Sequence, residues 1–89
     1  MGAPRPFRAT ATGQMYANKG AGVLAFVRLT AGAAAAAATV REVDGSGTIL
    51  AELAAPANGS DIAGPIVFSE AVHLSAISGA GAIVMAYVE

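Results

Sequence analysis

Hydrophobic side chains in this chain recur at every second position, in short runs divided by clusters of glycine, proline, serine, asparagine and aspartate. That period belongs to the pleated strand, whose successive side chains point to opposite faces. From Val23 to Leu29, the residues Val23, Ala25, Val27 and Leu29 share one side and Leu24, Phe26 and Arg28 the other. Both sides are largely apolar, so the run predicts a central strand. "TILAELAA" (48–55) sets Ile49, Ala51 and Leu53 against Leu50, Glu52 and Ala54. "IVFSE" (66–70) predicts a short strand, and "VHLSAI" (72–77) turns Val72, Leu74 and Ala76 inward against His73, Ser75 and Ile77. "AIVMAYV" (82–88) sets Ile83, Met85 and Tyr87 against Val84, Ala86 and Val88. The segments between, 17–22, 30–32, 44–47, 56–65 and 78–81, carry turn residues and predict loops.

The stretch "TAGAAAAAATVREVDGSGTIL" (30–50) pulls two ways. Six alanines in a row, 33–38, favour a helix on propensity alone. A run that short does not nucleate one, since isolated helices need about 12–15 residues. Extension meets Gly32 behind and Thr39, Val40, Val43 and the turn 44–47 ahead. A helix over 33–43 would have only Val40 and Val43 as apolar side chains larger than alanine. The strand reading gives Ala34, Ala36, Ala38 and Val40 one face and Thr39 and Arg41 the other, then joins 48–55 as a hairpin. The strand is the stronger prediction. Its alanines would make a low, flat face that another surface approaches closely.

Residues 1–21 read as an N-terminal arm and 22–89 as the folded domain. Pro4 and Pro6 forbid an early helix and favour extended backbone. "FRATAT" (7–12) alternates Phe7, Ala9 and Ala11 against Arg8, Thr10 and Thr12, as an edge strand or as an arm laid on a neighbour. Six or seven strands at a spacing of about 8–12 residues make the fold all-β. The expected architecture is a small antiparallel β-sandwich, jelly-roll-like, with an extended N-terminal arm.

Composition changes the picture from a free domain to a packed subunit. Eighty-nine residues hold one core, with a thin stability margin that a partner can widen. There is no cysteine, hence no disulfide and no thiolate metal site. Charged residues make up 12% against the roughly 25% usual in soluble domains, while apolar residues reach 55%. Sparse charge and many small residues suit extensive contacts with other subunits. All five basic residues (Arg5, Arg8, Lys19, Arg28, Arg41) precede all six acidic ones (Glu42, Asp44, Glu52, Asp61, Glu70, Glu89). These halves either pair within the fold or let a basic arm reach an acidic neighbour. No basic cluster and a single lysine argue against nucleic-acid binding.

Residues 1–13 lack the apolar core of a secretory signal, and Pro6 stands where a myristoylation motif requires Ser or Thr. Residues 71–88 run for 18 positions without a charged side chain, near the lower length of a membrane span. His73, Ser75, Ser78 and "SGAGA" (78–82) interrupt them, so two strands and a turn are predicted and no membrane association.

Catalytic chemistry is not predicted. His73 is the sole histidine and reads as a surface or interface residue, since a catalytic role needs a hydrogen-bonded partner. Glu42 and Asp44 flank a turn without calcium-loop spacing, and neither "GSGT" nor "GAGA" precedes the Lys-Ser/Thr of a phosphate cradle. Asn58-Gly59-Ser60 reads as turn chemistry, and no serine lies in a nucleophile elbow. We assign no catalytic, cofactor-binding or metal-binding residue and no cofactor, and expect a non-enzymatic protein.

The hairpin residues Thr39, Val40, Arg41 and Glu42, then Ser46 to Ala51, Leu53, Ala55 and Pro56, followed by His73, Leu74, Gly79 and Gly81, carry a resemblance. Over residues 22–89 the chain resembles small β-sandwich structural proteins of tailed bacteriophage virions, the capsid decoration and head-associated proteins. The alanine run and the short, proline-bearing N-terminus depart from their pattern. The resemblance implies a capsid decoration or cement subunit, made in the host cytoplasm and placed on the capsid surface. It would bind the major capsid protein or another virion protein and form a homo-oligomer, a trimer being favoured. The expected assembly contacts are Arg5, Phe7 and Arg8 in the arm and Ala34, Ala36 and Ala38 on the flat sheet face. A tail or head-fibre component is the alternative within that class. A carbohydrate- or cell-surface-binding sandwich is the alternative outside it, weakened by the absence of Trp and by only two tyrosines, Tyr16 and Tyr87.

Overall fold

The computed structural model describes residues 5–16, 21–43 and 46–88, without the side chains of Arg5 and Pro6. These residues form nine strands: β1 (Arg5–Ala9), β2 (Gly13–Tyr16), β3 (Gly22–Thr30), β4 (Ala36–Glu42), β5 (Ile49–Ala55), β6 (Ser60–Ala63), β7 (Ile66–Phe68), β8 (Val72–Ser78) and β9 (Ile83–Val88). No helix occurs among the described residues, so β-branched residues and the following turn outweigh the alanine run. Sheet I has the order β1-β9-β3-β6, with β7 also paired to β3, and sheet II the order β2-β8-β4-β5. Every pairing is antiparallel.

The pairings β1·β9, β2·β8, β3·β6/β7 and β4·β5 are those of one long hairpin rolled over on itself. With β6 and β7 sharing one position beside β3, the strand order is that of a jelly roll. The fold class expected from the alternation is therefore the one observed.

The N-terminal arm needs correction. β1 pairs with β9 from Arg5↔Val88 to Ala9↔Val84, and β2 pairs with β8. Residues 5–9 and 13–16 are thus integral strands; of 7–12, residues 7–9 lie in the edge strand β1 and 10–12 bend toward β2. Phe7 is half-buried against the core, 5.5 Å from the buried Tyr16 ring of the other sheet. Residues 1–4 and 17–20, with Lys19 and most of the predicted turn 17–22, lie outside the described residues, as do Asp44 and Gly45. The predicted loop 56–65 contains β6, which raises the strand count with β1 and β2.

Side-chain parity is reset by bulges. Register jumps leave Ala25 of β3, Leu50 of β5 and Ser75 of β8 as extra residues. A bulge adds one residue to one strand and exchanges its two faces beyond that point. Hence Leu24 is buried on one side of Ala25, and Val27 and Leu29 on the other. Val72 and Leu74 are buried, but beyond Ser75 Ala76 is exposed and Ile77 packs on the core, reversing the predicted orientation. Ile49 is exposed while Ala51 and Leu53 are buried, and Leu50 packs on the core.

The alanines of β4 also need correction. Ala34 is exposed ahead of the strand, whereas Ala36 and Ala38 are 6% and 3% exposed in the core. They cannot form an outer contact face. Their small size serves the close fit between the sheets and at one end of the sandwich. Gly79 has a φ of +105°, and a Cβ there would lie 2.6 Å from the Ala35 carbonyl oxygen and 2.9 Å from the Ala36 Cα. The β8–β9 turn therefore rests directly on the backbone that leads into β4.

Two measurements check these contacts. Gly79→Ala should destabilise the protein by about 1–3 kcal/mol in urea denaturation, through overpacking against fixed backbone and a disfavoured φ. Removing residues 1–12 should lower the unfolding midpoint clearly, because the β9 edge and the Phe7–Tyr16 contact are lost. An unchanged midpoint would show that β1 lies outside the cooperative fold.

Candidate functional site

The two outer faces differ in chemistry because parity sorts the residues differently. On sheet II the outward residues are mostly small or polar, with Ile49 the large apolar exception: Ala37, Thr39 and Arg41 on β4, Ile49, Glu52 and Ala54 on β5, and His73 and Ala76 on β8. Arg41 Nη1 donates to the Gly47 carbonyl at 2.9 Å and Ser75 Oγ to the Thr39 carbonyl at 3.2 Å. Gln14 Nε2 donates to the carbonyls of Tyr16 and Val72 at 3.1 and 3.2 Å, fixing the irregular β2. His73 is half-buried on this side between its register partners Gln14 and Arg41, and its Nδ1 is buried without a hydrogen-bond partner.

On sheet I the outward residues are large and apolar. Val84, Ala86 and Val88 of β9 point inward, so Ile83, Met85 and Tyr87 point out. The Ala25 bulge places Phe26 and Arg28 beside Tyr87 and Met85 on that same outer side. The Phe26 and Tyr87 rings stack with centroids 6.3 Å apart and planes 9° from parallel. Arg8 pairs with Met85 from β1, and Ile62 with Arg28 from β6. One row across four strands therefore reads Arg8, Met85, Arg28, Ile62. Met85, Ile62 and Val67 are 41%, 60% and 73% exposed. Burying one such side chain fully is worth about 1.5–3 kcal/mol, so covering several of them together would be a substantial gain.

Among the described strands of sheet I no carboxylate points to this face. Asp61 lies on β6 opposite the inward Leu29, and its Oδ2 and Oδ1 accept the Ala54 and Ile62 amides at 3.1 and 3.0 Å. The Glu42 carboxylate accepts both the hydroxyl and the amide of Ser69. These two bonds, the hydroxyl first, hold the Glu42 carboxyl below its ordinary range, helped by the Glu70 amide and opposed by desolvation. The next residue, Val43, has a φ of +72°, and its N–H donates to the Ala71 carbonyl at 2.8 Å. The charged halves of the sequence thus meet backbone groups and a serine at these sites.

Sheet edges are blunted. Pro6 interrupts the donor row of β1, β2 is short and irregular, and β5 carries the Leu50 bulge and gives the Ala54 amide to Asp61. The β6/β7 edge is broken at Gly64-Pro65, which is cis.

Of the residues expected to make assembly contacts, only Arg8 falls on the large apolar face. Phe7 faces the core, Ala36 and Ala38 are inside it, Ala34 lies elsewhere on the surface, and the Arg5 side chain lies outside the described residues. Sequence reasoning did not select Phe26, Arg28, Ile62, Met85 or Tyr87 as contacts. The alternation in 82–88 supplied half the signal, but the side on which β3 presents its rings depends on the bulge. Residues 71–88 form β8, a turn and β9, and among the described residues no helix is long and apolar enough to cross a membrane. No group of three or more His, Asp or Glu side chains among the described residues is placed to hold a metal ion.

Comparison with protein-family models, curated proteins and solved structures yields no match for the chain.

The Glu42–Ser69 contact has a pH signature. A carboxyl whose folded value is depressed stabilises the fold above its unfolded value, and that contribution is lost as pH falls through the folded value. Glu42→Gln should therefore be less stable than the parent chain at pH 7. The gap should close as pH drops below the ordinary carboxylate range, and Ser69→Ala should shrink it at pH 7. Urea midpoints across pH 2–7 check this.

Proposed function

We propose that the protein is a non-enzymatic structural subunit of a phage virion, a decoration or cement protein that coats and stabilises the capsid lattice. One observation carries the reading: an outer face on sheet I where exposed apolar and aromatic side chains are interspersed with Arg8 and Arg28, on a small domain with few charges. Such a face is costly in water and gains by being covered. The jelly roll supports the reading by fold-level analogy, since capsid domains use it, although lectins and cupins do too.

Binding to a shell would widen the thin stability margin of an 89-residue chain by mass action. Copies held on a repeating lattice gain from high effective concentration, so each contact need be only modest. The blunted edges make strand addition from an arm a poor attachment mode and leave the sheet face as the contact. A carbohydrate-binding role has less support, because Phe26 and Tyr87 already stack on one another.

The test is co-sedimentation of the purified chain with tailed-phage heads lacking it. Saturable coating and greater heat resistance of the heads are expected. Met85→Asp with Ile62→Asp should weaken coating by about 30-fold or more, as for a contact hot spot. Ala37→Asp with Ala76→Asp, on sheet II, should leave coating intact. A chain that never joins heads, or a sheet I variant that coats as well as the parent, would overturn the proposal.

A further inference from the structure

We infer that the outer face of sheet I docks a different protein whose contact surface sets carboxylates around an apolar centre, and that it does not pair two copies of this chain. The inference rests on the reading of the chain as an assembly subunit and specifies the partner's chemistry.

The row Arg8, Met85, Arg28, Ile62 places two guanidinium groups on strands flanking β9. Their strands stand two inter-strand spacings apart, about 10 Å. Both arginines are exposed. Between and beside them lie Met85, Ile62 and the stacked Phe26–Tyr87 pair. No carboxylate of the described sheet I strands points to the face, so both cations are available to a partner. A planar guanidinium matches a carboxylate with two parallel hydrogen bonds, and such pairing fixes register on a flat apolar surface.

Self-pairing fails on charge. A second copy laid face to face would bring four guanidinium groups, and no carboxylate from the described sheet I strands, into one contact being stripped of water, where like charges oppose association. The described carboxylates are engaged or placed elsewhere: Asp61 serves amides at the β5–β6 edge, Glu42 serves Ser69, Glu70 lies in the β7–β8 connection beside Glu42, and Glu52 lies on the outer side of sheet II. A phosphate polymer fits less well, since two cations are few for a phosphate track. One face of each ring is also occupied by the other ring.

The probe is a ribosome-displayed library of random twelve-residue peptides selected on the intact chain. Winning peptides are then titrated into the isotopically labelled protein and followed by amide shifts. Enrichment of Asp or Glu beside aromatic or aliphatic residues is expected, with shifts concentrated at Phe26, Arg28, Ile62, Met85 and Tyr87. The charge swap R8E/R28E should lose at least about tenfold in affinity for those peptides and select Lys- or Arg-bearing ones instead. R8Q/R28Q should lose affinity without that reversal, which serves if the swap does not fold.

Winners without a carboxylate bias, binding that survives both variants, or shifts confined to sheet II would overturn the inference. So would a concentration-dependent dimer abolished by Met85→Asp. Tighter binding to vesicles of three parts phosphatidylcholine to one part phosphatidylserine, or to oligouridylate, than to any winner would also overturn it. The two proposals fail separately. Carboxylate selection without coating of heads removes the virion role alone, and coating that ignores Arg8 and Arg28 removes the partner chemistry alone.

Discussion

Strand parity is the constraint on which the rest of this structure depends. A regular strand commits every second residue to one face for its whole length, and no rotamer change undoes that commitment. β3 is needed inside at Leu24 and also at Val27 and Leu29, which lie at odd spacing from Leu24. One extra residue, Ala25, reconciles them. The same insertion throws Phe26 and Arg28 outward beside Tyr87 and Met85, so the core of sheet I and its exposed face are fixed by a single event. The neighbouring strand adapts to it. Gly64, at φ +130°, lies where a Cβ would come within 2.8 Å of the Ala25 carbonyl oxygen and 2.9 Å of the Phe26 Cα. The strand position beside β3 is accordingly split into β6 and β7 at that glycine.

Sheet II repeats the device around Val40. Its register partners are Leu74 on one side and Ala51 on the other, and the extra residues Ser75 and Leu50 lie next to those partners. Bulges bend a strand and strengthen its local twist, so two of them around one fully buried valine curl the sheet where the sandwich is closed. Below this point Ala36 and Ala38 face sheet I with almost no side chain. The alanine run is therefore an interior feature, and its smoothness is used for fit between sheets.

This explains what was legible in the sequence. Period-two alternation, the turn-forming residue types at 44–47 and the short spacing of apolar runs identified β3, β4, β5, β7, β8 and β9 and the all-β sandwich. Bulges leave no comparable mark: Ala25, Leu50 and Ser75 are ordinary strand residues in ordinary contexts. Orientation was thus readable up to each bulge and reversed beyond it, as Ala76 and Ile77 show. β1 escaped for a different reason. Two prolines near a terminus describe an extended arm and a protected edge strand equally well, and only the long-range register with β9 separates them. The candidate face combined both difficulties, since it draws residues from β1, β3, β6 and β9.

The distribution of side-chain size carries the argument one step further. Among the described residues, eight of the twenty buried hydrophobic ones are alanine, whereas Phe26, Ile62, Val67, Met85 and Tyr87 stay at least partly outside. A sequence shaped only for the stability of its own fold would favour the opposite assignment, with bulky groups in the core, where each buried methylene gains about 0.8 kcal/mol. Isolated exposed apolar residues are ordinary on protein surfaces. Here they gather on the outer face of sheet I, whose described strands turn no carboxylate outward, while proline, bulges and Asp61 discourage pairing at the edges. A thin core, guarded edges and one broad apolar face are mutually consistent if the chain's stability is completed by what covers that face.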